Sequence, residues 1–183
     1  MPFSARTRLF DAKGAGTIRV CLAGFLMLVN CWSIESTPPV SEGADPLSHN
    51  YVVNPQAERY VFNEVNRLRA EQGIQPLKKN EKLQRAARHH SYDMASLGYF
   101  AHEDLSGKNL KQRLGALSVS WSRIAENIAK CLDDNPARAA VEGWLQSKGH
   151  RRNILNPEFT ETGIGAYTGP DGEVSFCQIF MRP

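Results

Sequence analysis

The stretch from Thr162 to Met181 constrains the fold most. Residues 162–168 and 174–181 are both strand-like, and Gly169-Pro170-Asp171-Gly172 lies between them. Proline pre-sets one turn dihedral while Asp and Gly favour the reversal that follows, so the segment is expected to form a hairpin. An isolated two-stranded ribbon is marginal in water. It needs more strands or a covering of helices, and the residues before it supply both.

Asn54-Pro55 is a helix cap followed by proline at the first helical position. Val61, Val65 and Leu68 recur at helical spacing with Phe62 alongside, and Gly73 stops the run, which predicts a helix near 56–71. Pro76-Leu77 turns the chain. Asn80 opens a second helix with Glu81 in its first turn, where the helix dipole favours a carboxylate. Leu83, Ala87, His90, Met94 and Leu97 form its buried stripe, which ends at Gly98. His90 is therefore expected as a hydrogen-bonded core histidine, and His89 as a surface residue. Residues 107–117 read as a short amphipathic helix carrying Leu110 and Leu114. Residues 121–129 alternate in part and read as a strand, with Ile124, Glu126 and Ile128 on one face. Asn135-Pro136 repeats the cap signal for a helix with Val141, Trp144 and Leu145 on one side. It is expected to close at Gly149 and leave His150 fixed just past its end. The sum is an α+β fold, helices packed on a small, mainly antiparallel sheet.

The first third of the 183-residue chain stands apart. Arg6, Arg8, Lys13 and Arg19 precede an apolar run from Val20 to Val29, too short to span a bilayer and of the right length for an export signal. Leu28-Val29-Asn30-Cys31 resembles a bacterial lipoprotein box, with Cys31 as the lipidated residue. Asn30 departs from the Gly, Ala or Ser usual there, so cleavage near Ser33 by an ordinary signal peptidase stays open. Residues 1–31 are thus expected as the export signal, 32–55 as a flexible tether rich in Ser, Pro and Gly, and 56–183 as the folded domain. The protein is expected outside the cytoplasm: periplasmic, anchored to the outer membrane, or secreted. A lipid on Cys31 would be its only membrane attachment.

Removing residues 1–31 also removes the charge imbalance. The chain carries a formal charge of +3, but residues 32–183 hold 18 basic and 18 acidic side chains. That excludes the basic footprint of a nucleic-acid binder. Of the cysteines left, Cys131 and Cys177 form an even pair in an oxidising compartment, where a disulfide is one expectation and two buried thiols the other. Neither has a C-x-x-C neighbour, which argues against a thiolate metal site.

Position and chemistry leave two loop histidines, His102 and His150, and one strand carboxylate, Glu126. The residues around them resemble those of a known family. Tyr99-Phe100-Ala101-His102, Ala125-Glu126-Asn127-Ile128, Trp144-x-x-Ser147-x-Gly149-His150-Arg151 with Asn153-Ile154-Leu155, and Gly163-Ile164-Gly165 with Phe176-Cys177-Gln178-Ile179-Phe180 resemble the CAP superfamily. This superfamily comprises cysteine-rich secretory, antigen 5 and pathogenesis-related 1 proteins, and the likeness is to its bacterial SCP-like branch. Ala87-x-x-His90-Ser91-x-Asp93-Met94-Ala95 agrees as well.

The resemblance implies a three-layer α-β-α sandwich whose cleft holds two histidines and two acids. Carried over by motif, these are His102, His150 and Glu126, with Ser147 where eukaryotic members place the second acid. Glu142, two residues before Trp144, should project from another part of the helix. His102 and His150 are then candidate ligands for Zn²⁺, with Glu126 nearby and water completing an open site. Glu126 and Ser147 are the candidate catalytic groups of a metal-assisted, peptidase-like hydrolase. Against this, no G-x-S-x-G elbow surrounds Ser147. A hydrogen-bonded knot of His102, Glu126 and His150 that pins the loops is the structural alternative. The favoured expectation is a monomeric, non-catalytic binding module for a lipid, glycan or peptide-like envelope ligand. A secreted interaction or virulence factor acting through surface loops is the other.

Overall fold

The computed structural model describes residues 51–183. The expected export signal, Cys31 and the tether as far as residue 50 lie outside the described residues. The elements run β1 (Val52–Val53), α1 (Pro55–Glu71), β2 (Lys78–Lys79), α2 (Glu81–Ser96), α3 (Leu110–Gly115), β3 (Arg123–Cys131), α4 (Pro136–Gln146), α5 (Lys148–Ile154), β4 (Glu161–Thr168) and β5 (Val174–Arg182).

Four of the helices begin on an asparagine. The Oδ1 atoms of Asn54, Asn80, Asn109 and Asn135 accept backbone N–H bonds from Ala57, Leu83, Gln112 and Arg138 at 3.0–3.2 Å. Each such cap contributes about 1 kcal/mol. At Asn109 the Gln112 side chain also accepts from the cap's own N–H, a capping box that starts α3 three residues later than expected.

The sheet order is β1-β4-β5-β3, antiparallel throughout, with β2 added parallel to β4. The hairpin forms in the predicted place, and Gly172 takes a φ of 81°, a left-handed value that glycine adopts without strain. β5 is central and buried on both faces. Phe176 and Phe180 face Val61, Val65, Trp144 and Ile154 of α1, α4 and α5. Cys177 and Ile179 face Leu83, Ala87, Met94 and Leu114 of α2 and α3. Helices on both faces complete the α-β-α sandwich.

Gly163 and Gly165 let α2 lie directly on β4. A Cβ at Gly163 would stand 2.2 Å from Gln84 N, and one at Gly165 2.3 Å from Ala87 C. These contacts are to backbone, so only glycine seats α2, and with it His90, this close to the sheet.

Two expectations are corrected, one strand is added, and one of the two cysteine alternatives is found. The tether does not reach residue 55, because Val52 and Val53 pair with Thr168 and Tyr167 of β4. Lys78–Lys79 makes a strand after the turn at Pro76-Leu77. Gly149 does not cap a helix: Ser147 takes an extended conformation (φ −85°, ψ 122°), ends α4 at Gln146, and the chain re-enters helix as α5 with His150 inside it. The cause is tertiary, since Asn153 Nδ2 donates to Asn127 Oδ1 at 2.8 Å and Asn127 Nδ2 to the His150 carbonyl at 3.2 Å, which tie α5 to β3. Finally, Cys131 and Cys177 are free buried thiols. Cys177 lies opposite Ile128, three residues from Cys131, so alternation along β3 puts the two sulfurs on opposite faces of the sheet.

Candidate functional site

Glu126 is the centre of the site. Its partner across the strand pair is Ile179, and it shares the α2-facing side of β3 with Ile124 and Ile128, as the alternation predicted. Its side chain is 3% exposed. A carboxylate buried to that degree must be compensated, and four groups converge on it.

Arg113 Nη2 donates to Oε1 at 2.7 Å and to the His102 carbonyl at 3.0 Å. Nδ1 of His102 donates to Oε2 at 2.9 Å. The Cys177 thiol donates to Oε1 at 3.3 Å, from the diagonal position on β5. His90 Nε2 stands 4.0 Å from Oε2. That nitrogen donates to the Ala101 carbonyl at 3.0 Å, and since a carbonyl only accepts, His90 carries its proton on Nε2, leaving Nδ1 to the Tyr99 hydroxyl at 3.4 Å.

The electrostatics follow from these contacts. Burial pushes the Glu126 carboxyl up, but the His102 hydrogen bond and the Arg113 charge outweigh it and hold the group below its ordinary range. Burial lowers Arg113, and the Glu126 carboxylate more than restores it. Burial pulls His90 down to about 4, so its ring is neutral at pH 7. The Cys177 thiol is pushed well above its usual value by burial and then by Glu126, and Cys131 reaches about 12, again chiefly by burial. Both stay protonated and unreactive as nucleophiles.

His102 comes from the loop after α2 and its side chain is 47% exposed. With Nδ1 bonded to Glu126, the other ring nitrogen, Nε2, is left for further partners. His150 is half-buried on α5 and lines a recess with Phe100, Ile128 and Trp144. Trp144 is fixed there by its indole bond to the Ile128 carbonyl at 2.9 Å. β3 is the outer strand of the sheet, so Glu126 faces the α2 side while Asn127, beneath His150, faces the α5 side. Phe100 spans the two, reaching from the His102 loop to the His150 recess. Ser147 sits at the α4–α5 joint without a side-chain capping bond and is not among the groups bonded to Glu126. Glu142 pairs with Arg138 at 2.7 Å on an exposed face, away from the site.

Among the described residues no group of three or more His, Cys, Asp or Glu side chains is arranged to hold a metal ion. Both Glu126 oxygens are also already taken by donors.

Sequence reading missed Arg113, whose side chain is 8% exposed. The signal was there: Arg113 follows Leu110 by three residues and precedes Leu114, so it lies beside the apolar stripe of α3. His90 was expected in the core, and its nearness to Glu126 was not foreseen.

A three-layer sandwich with a histidine–glutamate pair over its outer strand defines a class, and comparison with known proteins gives the family. A match to the CAP family, described as the cysteine-rich secretory protein family, spans residues 62–180. This chain belongs to that family, and it is a CAP-domain protein of bacterial type. Two Bacillus subtilis proteins are similar: uncharacterized protein YkwD, 36% identical over 108 residues, and uncharacterized membrane protein YlbC, 37% identical over 109. The matches cover 59% and 60% of this chain but 41% and 31% of those proteins, so the chain spans less than half the length of either relative. An extracellular SCP-domain protein from Bacillus anthracis superposes with a TM-score of 0.64 at 31% identity, over 70% of this chain and 41% of its own.

Proposed function

We propose that this chain is an exported, non-catalytic binding module of the bacterial cell envelope. Its cleft, between the His102 loop and α5, takes a lipid, glycan or peptide-like ligand. The observation that carries the reading is the engagement of Glu126. A general base needs a free lone pair within reach of substrate, and a catalytic metal needs ligands not already spent. Glu126 is poorly placed for either, because Arg113 and Cys177 occupy Oε1, His102 holds Oε2, and the side chain is only 3% exposed. The groups left for a ligand are the half-exposed ring of His102 and, on α5, the recess that His150 shares with Phe100. A polar head next to an apolar wall suits binding better than bond cleavage. Export is supported by the N-terminal sequence and by the names of relatives, one an extracellular protein and one a membrane protein.

Native mass spectrometry of the protein purified without chelator from an oxidising compartment tests this reading. The expected spectrum shows an organic adduct that is lost in a His102→Ala/His150→Ala variant. Stoichiometric zinc that survives dialysis would overturn it in favour of the hydrolase. A bare mass, with a partner captured equally well by the double variant, would move the function to the surface loops.

A further inference from the structure

Beside Arg113, residues of α2, α3 and the loop between them line a second, open recess of about 300 Å³. That volume is at the lower end of the roughly 300–1,000 Å³ typical of small-molecule sites. Three of its lining residues are cations: Arg85, Lys108 and Arg113. Arg85 and Lys108 are exposed, and neither has a carboxylate partner within ion-pair distance among the described residues.

Asp104, which also lines the recess, offsets part of the Lys108 charge but makes no ion pair with Lys108 or Arg85. Asp104 Oδ1 is spent on its own turn, accepting from Ser106 N, Ser106 Oγ and Lys108 N at 2.9, 2.6 and 2.9 Å. His89, also at the rim, is paired with Asp93 at 3.0 Å. Arg113 is committed to Glu126 through Nη2 alone. Its Nε and Nη1 are buried with no hydrogen-bond partner among the described residues, but its charge is matched by Glu126, so the cations free to meet a ligand are Arg85 and Lys108. The remaining wall is apolar: Ala86, Ala116 and Leu117, the last of which is 37% exposed.

We propose that this recess is a second binding site, for a small amphiphile with one anionic head, a carboxylate or phosphate monoester. The head sits between Arg85 and Lys108, and the short chain lies on Ala86, Ala116 and Leu117. This site lies outside the cleft and does not depend on the cleft's ligand.

Calorimetric titration of the purified protein at low salt with octanoate, octyl phosphate, octanol and inorganic phosphate tests it. The two anionic amphiphiles should bind with one-to-one stoichiometry, and octanol and inorganic phosphate each at least tenfold more weakly. The exposed double variant Arg85→Ala/Lys108→Ala should lose about tenfold in affinity for both amphiphiles, the combined effect of two solvent-facing charge contacts. His150→Ala should bind them as the wild type does. Octanol bound as tightly as octanoate, or an unchanged affinity in the double variant, would overturn the anionic head. Inorganic phosphate bound as tightly as octyl phosphate would overturn the amphiphile. Loss of binding in His150→Ala would place the ligand in the cleft instead.

Discussion

Arg69 and Arg113 are buried on opposite faces of the same sheet and are held in different ways. Arg69, on the α1 side, is fully buried and donates to four carbonyls: Gln75 from Nε, Ile154 and Asn156 from Nη1, and Phe159 from Nη2, at 2.8–2.9 Å. Arg113, on the α2 side, faces a carboxylate and a carbonyl and leaves two nitrogens without partners among the described residues. The first is a closed knot of dipoles that ties α1 to the α5–β4 connection. The second is an open one, in which charge is matched to charge and donors are left over. A fold is fastened by the closed kind, and ligand chemistry collects around the open kind.

The largest expected effect comes from breaking the closed knot. Arg69→Leu orphans four carbonyls, each costing about 1–3 kcal/mol when buried without a partner. Against a total stability of about 5–15 kcal/mol this should leave the domain largely unfolded, which circular dichroism would report. A folded variant would show that the carbonyls find other donors.

In the open knot, Glu126→Gln should cost about 3–5 kcal/mol, because it strands the Arg113 charge in a buried site. Urea unfolding measures it, and an unshifted midpoint would mean that Arg113 is solvated.

A third effect, pH dependence, separates the two knots. His90 has a folded pKa of about 4 against roughly 6.5 in an unfolded chain, so between those values the unfolded state binds more protons. Stability should therefore fall as pH drops from 7 to 4, by about 3 kcal/mol. The contribution of Glu126, whose folded pKa is depressed, is held above the usual carboxylate range and lost only as pH falls through that lower value. Nothing in the Arg69 knot titrates in this window. Urea midpoints across pH for wild type and His90→Gln check it, and the variant should lose most of the slope.

The smallest effect should come from His102→Ala. The ring is 47% exposed and water can replace its bond to Glu126, so a loss of less than about 1 kcal/mol is expected. A larger loss in thermal melts would make His102 a structural member of the knot.

The same contrast explains what was legible beforehand. Local signals placed α1, α2, α4 and the hairpin, because an asparagine cap, an apolar stripe and a Pro-Asp-Gly turn each act within a few residues. They also put Glu126 on a face between two isoleucines. What they could not place depends on partners far along the chain. The strands Val52–Val53 and Lys78–Lys79 exist only because β4 offers them an edge. α5 exists because Asn127 and Asn153 meet across 26 residues. Arg113 enters the site only once α3 has docked on α2 and β3. Of the histidines taken from family motifs, His102 reaches Glu126 and the His150 backbone stands over Asn127, contacts across the chain that the motifs do not encode.

A double-mutant cycle on Glu126 and Arg113 tests the central claim most directly, that Glu126 is bound into the fold and not held ready for chemistry. Glu126→Gln and Arg113→Met should each destabilise by about 3–5 kcal/mol, since each leaves one buried charge alone, and the double variant should recover most of that loss. Additive losses, or a Glu126→Gln protein as stable as the wild type that no longer retains its ligand, would contradict the account and return Glu126 to the reacting centre.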